Sequence, residues 1–391
     1  MKAREVFETY KDSIMPTYTK VPLIFIKGKG SKLWDIHNKQ YLDFFPGWGV
    51  GSLGHCHPKV MQAVREQVSK LIFVANNYYN LPQAKLAKEL TRLTFPAKAF
   101  FCNSGAEANE AAIKLARKFG CGRYEIITFE NAFHGRTLAA LAATGQKKYQ
   151  QGFEPMLEGF KSAKFNDISN VKSLVTDKTV AVMLELIQGE GGINVAQQSF
   201  VLELKRLCED KKMLLIVDEV QTGVGRTGKM FCYQNYGITP DIMTLAKALG
   251  GGLPIGVMVA KKEIADTLTA GMHASTFGGS PLVCKAALAV LQAIQKEKLL
   301  SKTQKSGEYL FSKLNELKNK YPVIKEIRGL GLMAGVELTK EGKPVVEKCT
   351  EKGLLINCTH DMVLRLMPAL SITRKEIDRA MVILEEALRG L

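Results

Sequence analysis

The chain is expected to be an α/β protein, and two observations carry that expectation. Between about residues 97 and 260, short apolar runs alternate with helical patterns, the signature of a parallel sheet covered by helices on both faces. Beyond residue 281 the pattern changes to long amphipathic helices followed by short strands, as in an α+β lobe. The 391 residues leave room for two or three lobes with substantial cores.

Taken in order, the first 50 residues (FIKGKGSKLWDIHNKQYLDF) are β-hairpin material that could pack with either lobe. Strands are predicted at Lys98–Cys102, Glu125–Phe129, Val180–Leu186, Met213–Val217, Ile242–Leu245 and Ile255–Val259. Helices are predicted between them, at Ala106–Phe119 and Ser199–Lys211 among others. The stretches CKAALAVLQAIQ and TQKSGEYLFSKLNELKNK give two long amphipathic helices. LGLMAGVEL, LLINC and VLRLM then read as strands, and a last helix runs from about Arg374 to Leu388. Ligands of such sheets bind at the carboxyl ends of the strands, so the loops there are the place to look.

Composition narrows the function. With 54 Lys+Arg against 38 Asp+Glu the formal charge is +16, but the basic residues are spread along the chain with acids nearby, as in ELKRLCEDKK. That distribution argues for anionic metabolites rather than nucleic acid. The longest uncharged stretch, Thr267 to Cys284, carries three glycines, a proline and several hydroxyls, unlike a membrane span. The start, MKAREVFETYKDS, lacks the apolar core of a signal peptide, so a cytoplasmic location is expected. Eight cysteines with no CxxC pair suggest neither a disulfide framework nor a zinc ribbon, and no metal is expected.

Three motifs resemble ligand sites and fail their context tests. GVGRTGKM (223–230) has P-loop spacing, but Met230 stands where a magnesium-binding hydroxyl is needed, and the acidic strand LLIVDE runs straight into it. Gly49-Val-Gly51-Ser-Leu-Gly54 is formally GxGxxG, yet no acid lies between Glu66 and Glu89 to bind a ribose. His55-Cys56-His57 has no evident third ligand, and a turn before a helix explains it.

Three further features carry chemistry together. In FFCNSGAEANEAAIKLARKFG an apolar strand ends at Cys102, Asn103 or Ser104 can cap the next helix, and Ser104 with Glu107 forms an S-x-x-E capping box. Gly105 would let an anion approach the free amides, which the helix dipole also favours. LLIVDEVQ puts Asp218 at the end of an apolar strand, where a carboxylate is costly without a partner. DIMTLAKALGGG puts Lys247 at the end of another, where desolvation makes a nucleophilic amine. Each alone has a structural explanation. A phosphate-binding helix start, a strand-end aspartate and a strand-end lysine together meet the needs of pyridoxal phosphate: an anchor, a partner for the pyridine nitrogen, and an imine-forming amine.

The motifs MPTY (15–18), LWDIHNKQYLDF (33–44), LGHCHP (53–58), NSGAEANEAAIKLAR (103–117), FHGRT (133–137), IQGEGG (187–192), DEVQTGVGRTG (218–228), LAKALGGGLPIG (245–256), STFGGSP (275–281) and LRLMPAL (364–370) span nearly the whole chain. In that order they resemble the fold-type I, class III aminotransferases of the acetylornithine/ornithine branch. The resemblance implies a large domain with a mainly parallel seven-stranded sheet and a smaller α+β domain. The corresponding division is an N-terminal segment, 1–55, packing with the small domain; a cofactor domain, 56–275; and a small domain, 276–391.

The resemblance also implies roles. Lys247 would be the imine lysine and Asp218 the partner of the ring nitrogen. Ser104, Gly105 and Ala106 would hold the phosphate, joined by Thr276 from the neighbouring subunit of a homodimer. Phe133 would stack on the ring, Gln221 would meet its hydroxyl, and Glu219 and Val220 would belong to the same cofactor contact. Arg136 and Arg365 would bind the two carboxylates of glutamate/2-oxoglutarate, Glu190 would cover the idle Arg365, and Glu185 and Ser275 would line the substrate pocket.

The implied reaction is ping-pong transamination of N2-acetylornithine with 2-oxoglutarate, in arginine biosynthesis. Ornithine, succinylornithine, 4-aminobutyrate and N-succinyl-diaminopimelate are rival donors, and a basic RNA-binding or scaffold protein on the same fold is the non-catalytic rival. Leu186, Trp48 and the ANNYYN segment (75–80) depart from the family's usual wording and bear on the choice of donor.

Overall fold

The computed structural model describes residues 2–390, so Met1 and Leu391, the outer ends of the expected division, lie outside the described residues. A seven-stranded sheet runs in the spatial order Ala97–Cys102, Gly256–Lys261, Ile242–Leu245, Leu214–Asp218, Thr179–Leu184, Glu125–Phe129, Phe160–Ala163. Its central strands are buried along their whole length, which explains their unbroken apolar runs.

The sheet is mainly parallel, as expected, with one exception. Gly256–Lys261 is antiparallel to both of its neighbours. Only residues 246–255 separate it from the preceding strand. A parallel return needs a crossover of about a dozen residues or more, so this connection can only reverse direction. Phe160–Ala163 was not among the predicted strands, because an edge strand of four residues with half-buried positions carries no apolar alternation.

The helix Gly105–Phe119 begins one residue before its predicted start. Its buried face is mostly alanine (Ala108, Ala111, Ala112, Ala116), small enough to bring the helix close to the sheet. The helices Pro281–Lys296 and Leu299–Lys320 lead into a second sheet, in the order Ile324–Leu330, Met333–Leu338, Val363–Leu366, Asn357–Thr359. The last helix spans Arg374–Leu388 as predicted, with Thr373 and Glu376 forming a capping box. The N-terminal hairpin joins the C-terminal part of the chain, since Gln40–Asp43 pairs in parallel with Leu354–Leu355.

Arg226, inside the apparent P-loop, ties these parts together. It is fully buried, with no carboxylate partner among the described residues. Its guanidinium donates to the carbonyls of Leu332 (2.9 Å) and Pro368, and to Ser52 Oγ (2.9 Å). One side chain thus joins the loop after Leu214–Asp218, the N-terminal segment and two connections at the ends of C-terminal sheet strands. We expect Arg226→Ala to destabilise the protein by about 3 kcal/mol or more, because two buried carbonyls lose donors worth about 1–3 kcal/mol each. Urea denaturation measures this, and a change below about 1 kcal/mol would remove Arg226 from this role.

Candidate active site

Parallel strands end on one edge of the sheet, and the predicted residues collect there. Ser104 follows the Ala97–Cys102 strand, Phe133 the Glu125–Phe129 strand and Glu185 the Thr179–Leu184 strand. Asp218 closes Leu214–Asp218, and Lys247 follows Ile242–Leu245. All five border one cavity of about 490 Å³, together with Gly105, Ala106, Arg136, Glu190, Val220 and Gln221.

One wall is an anion cradle. Ser104 is the cap that is used: its hydroxyl oxygen accepts from the Glu107 amide at 3.2 Å. The return arm of the box reaches one residue further back, with the Asn103 amide donating to Glu107 at 2.8 Å. The amides of Gly105 and Ala106 have no acceptor among the described residues. A Cβ on Gly105 would lie 2.7 Å from a Val220 methyl, so glycine lets the helix start sit against the loop after Asp218. Unpaired amides at a helix start suit a phosphate group.

Asp218 forms the floor of the cavity and is almost fully buried. Its Oδ2 accepts from His134 Nδ1 (2.8 Å) and Asn109 Nδ2 (2.8 Å), and its Oδ1 accepts from the Val220 amide (3.0 Å). Three donors from separate elements fix the position of the carboxylate. Burial works against a charged His134 ring, yet the hydrogen bond and charge of Asp218 win and raise its pKa above the ordinary value.

Lys247 is held at φ +43°, in the left-handed region that few non-glycine residues adopt, and such strain gathers at functional sites. Its ammonium has no hydrogen-bond or ion-pair partner among the described residues. Burial lowers its pKa, which favours the nucleophilic amine. An unpartnered amine, a fixed carboxylate and free helix amides around one cavity fit pyridoxal phosphate, on this chain's own geometry.

The two arginines differ sharply. Arg365 is fully buried and saturated: Nε donates to Asn357 (2.8 Å), and Nη1 to the Gly189 carbonyl (2.7 Å) and to Glu190 (2.6 Å). Burial opposes ionisation of Glu190, but the charge of Arg365 outweighs it and lowers its pKa. A Cβ on Gly189 would sit 1.8 Å from Gln221 Oε1, so only glycine admits the Gln221 side chain, which itself donates to Glu190 (3.3 Å). Arg136 is exposed and has no ion-pair or hydrogen-bond partner among the described residues.

Glu185 accepts from the Phe133 amide (2.9 Å) and the Gly189 amide (3.1 Å), and burial raises its pKa.

Three expected residues lie outside this cavity. Glu219 turns away from it and accepts from the amides of Cys232 and Tyr233, both at 2.7 Å. Adjacent residues leaving a strand point to opposite sides, so Asp218 and Glu219 cannot both face the cofactor space. Ser275 accepts from Asn103 Nδ2 (3.2 Å) at the border, and Thr276 is exposed. Trp48 is 45% exposed and packs edge-on against Phe45, whose ring lies 4.8 Å from the Arg365 guanidinium. The fully buried Leu186 also lies outside the cavity lining. His55 and His57 each meet a carboxylate, Asp43 (2.8 Å) and Glu297 (3.4 Å).

Sequence reasoning missed Asn109 and His134. Their signal was polarity in an apolar setting: Asn109 falls on the alanine face of its helix, and His134 lies between Phe133 and Gly135 in a quoted motif.

The His134–Asp218 pair gives a pH dependence with a definite sign. With the folded pKa raised, its contribution is complete below the unfolded value of about 6.5 and is lost as pH rises through the folded value. Relative to His134→Asn, the wild type should therefore be favoured in acid, by about 1.5–3 kcal/mol for a charge-assisted bond, and lose that advantage as pH rises. Denaturation of both proteins across pH 5–9 measures it. A constant difference between them would remove the charged pair.

The chain resembles known proteins along nearly its whole length. The aminotransferase class-III family profile matches residues 14–388. The chain is 52% identical to the acetylornithine aminotransferase of Methanocaldococcus jannaschii over 374 residues, 94% of each chain. It is 50% identical to that of Caldanaerobacter subterraneus over 97% of this chain and 98% of the other. Among solved structures it is similar to an ornithine aminotransferase of Toxoplasma gondii, in which pyridoxal phosphate is partly occupied at the active site. That similarity has a TM-score of 0.95 at 32% identity, covering 100% of this chain and 95% of the other. A family match over nearly the whole length, with relatives at 50% identity and above, makes the chain a member of the class-III aminotransferases.

Proposed function

We propose that this aminotransferase uses pyridoxal phosphate to move the terminal amino group of N2-acetylornithine to 2-oxoglutarate, giving N-acetylglutamate 5-semialdehyde and glutamate. The observation that carries the choice of donor is the unequal state of the two arginines. Arg365 is neutralised by Glu190 while Arg136 is open. That arrangement suits a donor with one carboxylate far from its reacting amine, and disfavours an α-amino acid whose carboxylate lies beside it. Relatives at 52% and 50% identity named acetylornithine aminotransferases support the same donor.

Pyridoxal phosphate, when bound, supplies the electron sink that stabilises the carbanion next to the substrate nitrogen. Lys247 would hold the cofactor through its Nζ. Once displaced by the donor, the same amine would take the proton from the carbon bearing the substrate nitrogen and return it on the far side of that nitrogen. Asp218, oriented by His134 and Asn109, would keep a proton on the ring nitrogen. Ser104, Gly105 and Ala106 would hold the phosphate, Phe133 would cover a ring face, and Val220 and Gln221 would border the ring. Arg136 would bind the carboxylate of N2-acetylornithine and the distal carboxylate of glutamate. Glutamate also needs Arg365, so Glu190 would leave it in the second half-reaction.

The same reading includes a cytoplasmic homodimer, with Thr276 of a second copy completing the phosphate site and Ser275 at the shared border. It also retains the division 1–55, 56–275 and 276–391. Among the described residues no helix is long and apolar enough to cross a membrane.

The first test adds N-acetylornithine, ornithine, succinylornithine or 4-aminobutyrate singly to the holoenzyme without 2-oxoglutarate and follows the cofactor absorbance. Fast loss with N-acetylornithine, reversed by 2-oxoglutarate, is the expected result. Loss mainly with another amine would move the donor assignment. Lys247→Ala should lower turnover by at least about 10²–10⁴, the usual value of positioned acid–base catalysis. Glu190→Gln should uncover Arg365 and raise kcat/KM for glutamate relative to N-acetylornithine about tenfold, equal to about 1.4 kcal/mol. An unchanged ratio would mean that Glu190 does not select the donor.

A further inference from the structure

We propose that Tyr149 is a positioning residue for Arg136, a flat aromatic support that holds the guanidinium in place while leaving its N–H groups free for a substrate carboxylate. The proposal rests on the reading of Arg136 as carboxylate receptor and adds what sets its geometry.

Arg136 is held by rings. Its Cζ lies 3.9 Å from the centre of the Tyr149 ring and 5.5 Å from that of Phe133. The two rings meet edge to face at 5.9 Å and 86°, forming a corner in which the guanidinium rests. Arginine stacks through its face, whereas it binds carboxylates through the N–H groups on its edge. Stacking therefore orients the group without occupying a donor. Arg365 shows the opposite solution, since its donors are taken by Asn357, Gly189 and Glu190.

The support is anchored to the loop it serves. Tyr149 lies on the short helix Lys147–Gln150. On one side of this helix Gln146 Nε2 donates to the Asn131 carbonyl at 3.0 Å, and at its end Gln150 Nε2 donates to the carbonyls of Leu141 (3.1 Å) and Thr144 (3.0 Å). Both tethers reach the 131–144 segment that carries Phe133 and Arg136, so the ring and the arginine keep their relative positions. Tyr149 does not itself line the cavity and acts only through Arg136. Its hydroxyl makes no hydrogen bond among the described residues, so the ring alone carries the role.

The test compares Tyr149→Leu and Tyr149→Phe with wild-type holoenzyme on N-acetylornithine and on N-acetyl-1,4-diaminobutane, the same amine without its carboxylate. Tyr149→Leu should raise KM for N-acetylornithine about threefold to thirtyfold, the range of a cation–π contact at a partly shielded site. It should leave the half-reaction rate with N-acetyl-1,4-diaminobutane and the cofactor absorbance unchanged. Tyr149→Phe should match the wild type. Equal losses on both amines would indicate a merely structural role and overturn the proposal, as would an unchanged KM for N-acetylornithine. Calorimetric titration of the holoenzyme with glutarate separates this inference from the donor assignment. If the wild type converts neither amine, the donor reading fails, and the glutarate titration then decides the role of Tyr149. Glutarate affinity lowered at least threefold in Tyr149→Leu but not in Tyr149→Phe upholds it, and equal affinities overturn it.

Discussion

The site depends on holding one carboxylate, Asp218, at the end of a strand that is otherwise wholly apolar. Burying a carboxylate at that depth is costly unless protein donors replace the lost water. Three do so: Asn109 from the alanine-faced helix, His134 from the loop after Glu125–Phe129, two strands away in the sheet, and the Val220 amide. Each donor also fixes a part of the cavity. Asn109 holds the helix whose first amides face the anion cradle, and the Asn109 amide group also donates to the His134 carbonyl at 2.7 Å. Val220 lies against Gly105. Buried charge, phosphate cradle and ring wall are thus set by one network.

The substrate end is governed by the contrast between two arginines of the same chemistry. A saturated, buried guanidinium is a closed receptor whose opening requires movement of an acidic partner. An exposed one stacked on rings is open at once. A ping-pong enzyme must admit a donor and an acceptor with different carboxylate patterns into a single cavity, and this pairing allows it without two separate sites. Arg226 is a third kind of arginine and serves the fold alone. Among the described residues no ion pair offsets its burial, yet it joins segments from across the chain through carbonyls and a hydroxyl.

Much of this was readable from residue pattern. Apolar runs marked the central strands within a residue or two, because strands buried on both faces tolerate few polar residues. Ser104, Asp218 and Lys247 stood out as polar groups where such runs end. Asn109 and His134 did not, since nothing in one dimension shows that residues 109 positions and 84 positions from Asp218 converge on its oxygens. Apolar content did not show the direction of the Gly256–Lys261 strand, which its antiparallel pairing on both sides decides.

By itself the sequence determined the class of fold, the edge of the sheet that binds ligand, and the chemical types gathered there, because burial patterns and strand-end polarity are local properties. Only the tertiary structure decided which way each group faces and what it is paired with. Adjacent acids separated, Asp218 into the cavity and Glu219 into the amides of Cys232 and Tyr233. Two arginines of the same chemistry became one closed and one open receptor, because Glu190 reaches only one of them. Pairing depends on where distant segments meet, and that is set by packing of the whole chain rather than by any stretch of it.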